Sequence, residues 1–206
     1  MLKSLPLEKL NLTGQFLIAM PAMTDPFFSK TVTYICTHNQ DGAMGVIINR
    51  HSDITVARLF AQIKLESESL TLLAKPVHYG GPVQTERGFI LHTILPDVHD
   101  EFNATVIINN AVALTTSKDI LEAVAENNIN KKNVPSKMLI ALGYAGWTAG
   151  QLEDEMAQNA WLSLKTGLIE EAHALIFDAP NGDKFDLAMG MMGLTIGNLS
   201  QQAGHA

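Results

Sequence analysis

TVTYICTHNQDGAMGVIIN, residues 31–49, holds two β-branched, apolar runs around a polar pentapeptide. TVTYICT (31–37) and AMGVIIN (43–49) both have strand composition. HNQDG (38–42) between them ends in glycine, so the segment predicts a five-residue hairpin loop joining two strands. Alternate residues of a strand share a face, which groups Val32, Tyr34 and Cys36. Cys36 and His38 have the spacing of a thiol–imidazole pair on one side of a strand. The company of Val32 and Tyr34 instead argues for a core thiol, and free cysteine is among the most buried residue types. His38, at the hairpin mouth, is expected to hydrogen-bond within the loop.

The pattern changes on either side. SDITVARLFAQI (52–63) carries Val56, Leu59, Phe60 and Ile63 at helical spacing, with Asp53 or Thr55 as candidate caps. GFILHT (88–93) follows a Gly-Gly-Pro turn as a strand, and TVIIN (105–109) with AVALTT (111–116) predicts a second hairpin. A helix carrying Ile120, Leu121 and Val124 is expected next, capped by Thr116 or Ser117. KMLIALG (137–143) has strand length and leads through a YAGW loop into a helix over TAGQLEDEMAQNAW, where Thr148 and Gln151 have capping-box spacing. HALIFD (173–178) is expected as a strand and DKFDLAMGMMGL as a last helix. Hairpins interspersed with helices predict an α+β fold: one compact domain over residues 1–206, core from about residue 14, on a large mixed β-sheet with about four helices.

Composition narrows the function classes. The formal net charge is −7, and Arg50, Arg58 and Arg87 are the only arginines. Lys131-Lys132 is the one basic pair, so direct binding to duplex DNA is not expected. Cys36 is the sole cysteine, which rules out an intrachain disulfide. The longest apolar run, Phe16 to Met23, is too short for a membrane span and is broken by Pro21. The N-terminal MLKSLPLEKLNL lacks a signal peptide's uninterrupted apolar stretch. A cytoplasmic location is expected. No HExxH or CxxC spacing argues for a metal, no phosphate-loop pattern is present, and no motif names a cofactor.

Four segments carry a resemblance: GQFLIAMPAMTDPFF (14–28), HNQDGAMGVIINR (38–50), GGPVQTERGFILH (80–92) and GYAGWTAGQLEDEMAQNAW (143–161). In this order they resemble the YqgE/AlgH family of bacterial proteins, from about Gly14 to the terminal GHA. The resemblance implies a cytosolic single domain on a large mixed sheet and no established activity, although the family carries a loose label of putative transcriptional regulators. One position departs from it: His51 stands where the family usually has proline.

The candidate ligand-binding residues lie in two of these segments. Gly80, Gly81 and Pro82 form either a conformational turn or a loop facing an anion, with Arg87 adding charge and His92 nearby. Gly146, Trp147 and Gln151 lie where a strand is expected to meet a helix N-terminus, so Trp147 either covers a ligand or packs in the core. Glu153 and Glu155, two apart on a helix, diverge. Together these residues suggest one cleft at a sheet edge for a small anionic ligand, or a surface for a protein partner. The favoured reading is a binding module with an indirect regulatory role. An enzyme using Cys36, His38, His92 or Glu155, and a direct regulator, stay open as alternatives.

Overall fold

The hairpin at 31–49 forms in the computed structural model, which describes residues 11–94, 102–126 and 134–194. The N-terminal stretch, Lys131-Lys132 and the terminal GHA lie outside the described residues. Strands β2 (Val32–Asn39) and β3 (Gly42–Ile47) pair with Asn39 opposite Gly42, so the connection is Gln40 and Asp41 alone rather than five residues. Asn39 accepts a hydrogen bond from the Asp41 amide at 2.8 Å, an Asx turn that holds the reversal. Val32, Tyr34 and Cys36 are fully buried as expected, and so are Thr33 and Ile35 between them, because both faces of this sheet are covered.

The sheet grows outward from this hairpin. β1 (Phe16–Ala19) pairs with β2, and β10 (Trp161–Leu164) pairs with β1. On the other side β3 pairs with β9 (Met138–Thr148), followed by β6 (Val83–Thr93), β8 (Val112–Thr115) and β7 (Thr105–Ile107). The expected β7–β8 hairpin is therefore present. β4 (His51–Thr55) pairs with β5 (Pro76–Tyr79), and β5 runs parallel to β9, which makes the sheet mixed.

β9 changes partners along its length. Ala145–Thr148 pair with β3, while Met138–Tyr144 pair with β6. At the switch Gly143 has φ 72°, and the Gly80-Gly81 backbone packs directly on Gly143 and Tyr144. Gly80 donates to the Leu142 carbonyl at 2.8 Å and accepts from the Ile47 amide at 2.9 Å, so one residue ties β9 to β3. YAGW is thus strand and not a loop: Tyr144 pairs with β6, and Ala145–Trp147 are committed to β3.

Helices cover both faces. α1 (Val56–Gln62) starts later than expected because His51–Thr55 is a strand, and Thr55 is its cap, accepting from Arg58 N at 3.4 Å. α3 (Asp119–Glu126) buries Ile120, Leu121 and Ala125, with Val124 partly covered. α4 (Gln151–Ala157) ends four residues before Trp161, so NAW leads into β10 rather than continuing the helix. Two single-turn helices, α2 (Leu70–Leu73) and α5 (Ile169–His173), raise the count to six among the described residues; they are too short for a periodicity to reveal.

HALIFD is not a strand. α5 runs into a π-helical turn, Ala174–Asp178, and α6 (Lys184–Met191) follows. Ala172, Leu175 and Ile176 are the buried positions, a helical i, i+3, i+4 set laid on the sheet. This C-terminal layer packs over one face with Phe16, Tyr34, Cys36 and Leu91. The opposite face is covered by α4 and Leu12 over one half of the sheet, and by α1 and α3 over the other.

The Gly81–Tyr144 contact sets a clear expectation. Gly81 has φ 151°, and a Cβ there would lie 2.1 Å from the Tyr144 carbonyl carbon. Gly81→Ala should therefore lose more than about 3 kcal/mol in urea denaturation. Gly150→Ala, at φ 77° with open space around it, should lose only about 1–2 kcal/mol.

Candidate functional site

The glycine segments expected to frame a cleft do meet, and the contact is backbone on backbone. The Gly80 amide is bonded to Leu142, so it is not free to face an anion. Pro82 is half-buried and immediately precedes β6. Beyond it β6 bulges: Val83 pairs with Tyr144 and Gly88 with Leu142, five steps against two. Arg87 rides on this bulge. Its guanidinium lies over the Phe89 ring, 5.7 Å from the centroid, and donates to Thr116 Oγ1 at 3.1 Å and Gln84 Oε1 at 3.4 Å.

Trp147 points the other way. Phe89 and Tyr144 belong to the core under the C-terminal layer, whereas Trp147 packs with Leu152 and Trp161 on the opposite face. Tyr144 and Trp147 are three residues apart on one strand, so their side chains leave opposite sides. One cleft lined by both Arg87 and Trp147 does not form.

The GW…GQLE…NAW residues instead build a polar clasp inside an apolar cluster. Glu155 Oε2 accepts from Trp147 Nε1 at 2.9 Å and from Trp161 Nε1 at 2.7 Å, while Oε1 accepts from Gln151 Nε2 at 2.9 Å. Gln151 Oε1 in turn accepts from the Thr148 amide at 3.0 Å, the half of a capping box that its spacing predicted. The helix cap itself is Gly150. Both indoles are buried, and one carboxylate oxygen satisfies both N–H groups.

Glu153 diverges from Glu155 as expected and meets His38. Leu12 N donates to His38 Nδ1 at 3.1 Å, which fixes the ring proton on Nε2, and Nε2 donates to Glu153 Oε1 at 2.9 Å. His38 therefore joins the chain's early residues to α4 rather than serving the hairpin loop. His92 is buried and satisfied, with Nδ1 3.0 Å from the Thr93 carbonyl and Nε2 2.8 Å from Thr115 Oγ1. Burial lowers the His92 pKa and pushes the Cys36 thiol well up. Cys36, His38, His92 and Glu155 are each held by separate neighbours and form no single catalytic set.

Sequence reasoning missed a second polar cluster. Lys184 is buried, and its ammonium donates to the Ile48 and Ile176 carbonyls, both at 2.8 Å. Burial brings its pKa down to about 8. It shares a helix face with buried Ala188, a signal that a lone lysine in an apolar stripe would have offered. Beside it His78 Nε2 lies 3.2 Å from Asn181 Oδ1. Burial, with Lys184 and His51 adding repulsion, lowers the His78 pKa to about 4.

The structure also contains an open groove of about 520 Å³. It runs beside the β2–β3 turn, over Gly42 and Gly146, with Tyr144, Met44 and Val83 as its apolar lining and Asn39 and Asp41 at its polar end. Of the eight candidate residues, Gly146 and Trp147 reach it.

Two variants test these assignments. Glu155→Ala strands two buried indole N–H groups and should cost about 2–4 kcal/mol in chemical denaturation, with a red shift of tryptophan emission. For His78 the native state binds fewer protons than the unfolded chain between about pH 4 and 6.5. Stability should thus be retained above pH 6.5 and fall as the pH drops toward 4, by on the order of 3 kcal/mol. His78→Gln should flatten that acid slope in pH-dependent thermal melts.

Comparison with known proteins agrees with this architecture. The AlgH-like family model matches residues 16–197. A UPF0301 protein of Thiobacillus denitrificans is 48% identical over 200 residues, covering 97% of this chain and all of the relative. One from Burkholderia cenocepacia is 45% identical over 203 residues, covering 98% and 100%. The solution structure of the AlgH protein from Pseudomonas aeruginosa superposes with a TM-score of 0.73 at 40% identity over the full length of both chains. A crystal structure from Corynebacterium diphtheriae, 21% identical with a TM-score of 0.65, covers 92% of this chain and 88% of its own and shares the fold. With the fold and nearly the whole length in common, the chain belongs to the AlgH-like family.

Proposed function

We propose that this protein is a small-ligand or partner-binding module of the cytoplasm, and that the groove over Gly42 and Gly146 is its binding site. The observation that carries this reading is the groove itself. It lies on the sheet between the Tyr144 side chain and a polar turn, and its volume falls in the range of small-molecule sites. The lining contains Asp41 and no lysine or arginine. A neutral or cationic group therefore suits it better than the anionic ligand expected from the glycine loops. Arg87 is occupied elsewhere.

The separate engagement of Cys36, His38, His92 and Glu155 supports binding over catalysis. The net charge of −7 weighs against direct work on duplex DNA, because phosphate contacts need clustered cations. A regulatory role then runs through the bound ligand or partner. Among the described residues no helix is long and apolar enough to cross a membrane.

A thermal-shift screen over neutral sugars, nucleosides, amines and organic acids tests the site, since a ligand selective for the native state raises its apparent stability. Neutral or cationic compounds should stabilise the wild type. That effect should vanish in Asp41→Lys, whose unliganded Tm stays unchanged because Asp41 is exposed. Stabilisation that persists in Asp41→Lys and in Met44→Trp would place the ligand elsewhere.

A further inference from the structure

His51 and His78 stand directly opposite each other on the antiparallel β4–β5 pair. Directly opposed residues project from the same side of a sheet with their Cβ atoms about 5 Å apart. The two imidazoles do converge: their centroids are 5.1 Å apart, with planes at 79°. His51 is exposed and His78 half-buried, so one ring opens to solvent and the other is anchored.

The surroundings of His78 are incompletely paired. Nδ1 of His78 and Nδ2 of Asn181 are both buried and have no hydrogen-bond partner among the described residues. Asn181 Oδ1 lies 3.2 Å from His78 Nε2. We propose that the His51–His78 cross-strand pair chelates a divalent ion of the imidazole-preferring class, Zn²⁺ or Cu²⁺, with Asn181 Oδ1 at hand as an oxygen ligand. This site is separate from the groove and does not depend on it.

The chemistry balances without an added reagent. A metal on His78 Nε2 displaces the proton that Nε2 donates to Asn181, and that proton moves to Nδ1. Nδ1 is the buried ring nitrogen that has no other partner among the described residues. Imidazole must be neutral to ligate. The one buried cation alongside, Lys184, has its ammonium held by two carbonyls. Asp53 shares the exposed side of β4 with His51 and offers negative charge. No three His, Cys, Asp or Glu side chains gather among the described residues, so this is a two-imidazole site that leaves the remaining positions to the amide and solvent.

Calorimetric titration of the full chain, freed of metal with EDTA, with ZnCl₂ tests the proposal. The wild type should bind one Zn²⁺. His51→Asn, which alters an exposed side chain and leaves the fold intact, should raise the Kd by at least about tenfold. His173→Asn should leave the Kd unchanged. The Cu²⁺ complex should show hyperfine coupling to two imidazole nitrogens in its spin-resonance spectrum, and to one in His51→Asn. Absence of binding in the wild type, or undiminished binding in His51→Asn, would overturn the assignment.

Discussion

The fold depends on the close backbone approach of Gly80-Gly81 to Gly143-Tyr144. At this point β9 leaves β6 and takes up β3, so one strand holds both halves of the sheet together. A side chain on Gly80 or Gly81 would meet a main-chain atom at 2.2 or 2.1 Å, a collision with backbone and not with a movable side chain. Gly80 completes the junction by bonding β9 through its amide and β3 through its carbonyl. A ligand loop needs free donors; here the geometry uses the donor to close a sheet.

The same logic runs through the other motif residues. Arg50 donates to the Pro26 and Ser29 carbonyls, both at 2.7 Å, and Asn49 bonds Lys30 and Val32. Lys184 closes two carbonyls at the join between the C-terminal layer and the residue that follows β3. Glu155 closes two indoles. Each puts a polar group where an irregular segment leaves backbone or ring groups without a ladder partner, and unpaired groups are costly where they are buried, as around Lys184 and the two indoles. Motif side chains that look ready for chemistry are thus largely engaged in holding irregular segments. The surfaces left for binding lie beside them: a groove next to the β2–β3 turn, and a histidine pair at the rim of the sheet.

Much of the framework was legible in the chain. Strand composition around Asn39–Gly42, the β7–β8 hairpin, Thr55 as a helix cap, the buried face of Cys36 and the divergence of Glu153 from Glu155 all follow from local periodicity. Local periodicity also explains the errors. HALIFD has strand-like residues, yet its buried positions are spaced for a helix because it lies on a completed sheet. YAGW has loop-like residues, yet β3 offers it a ladder. The departure at position 51, where proline was expected, proved to be the first residue of β4.

Charge, composition, hairpins and family membership were decided by the sequence alone, because each depends on residue types or on neighbours a few positions apart. Only the tertiary structure decided which side of the sheet each candidate residue occupies. A bulge of β6 sends Arg87 toward Thr116, and the two-residue alternation of β9 sends Trp147 to the opposite face. It also decided the pairs with the longest separations: Lys184 with Ile48, His38 with Glu153, and His78 with Asn181. Such contacts are set by strand register and by layers closing over one another, and no spacing along the chain encodes either.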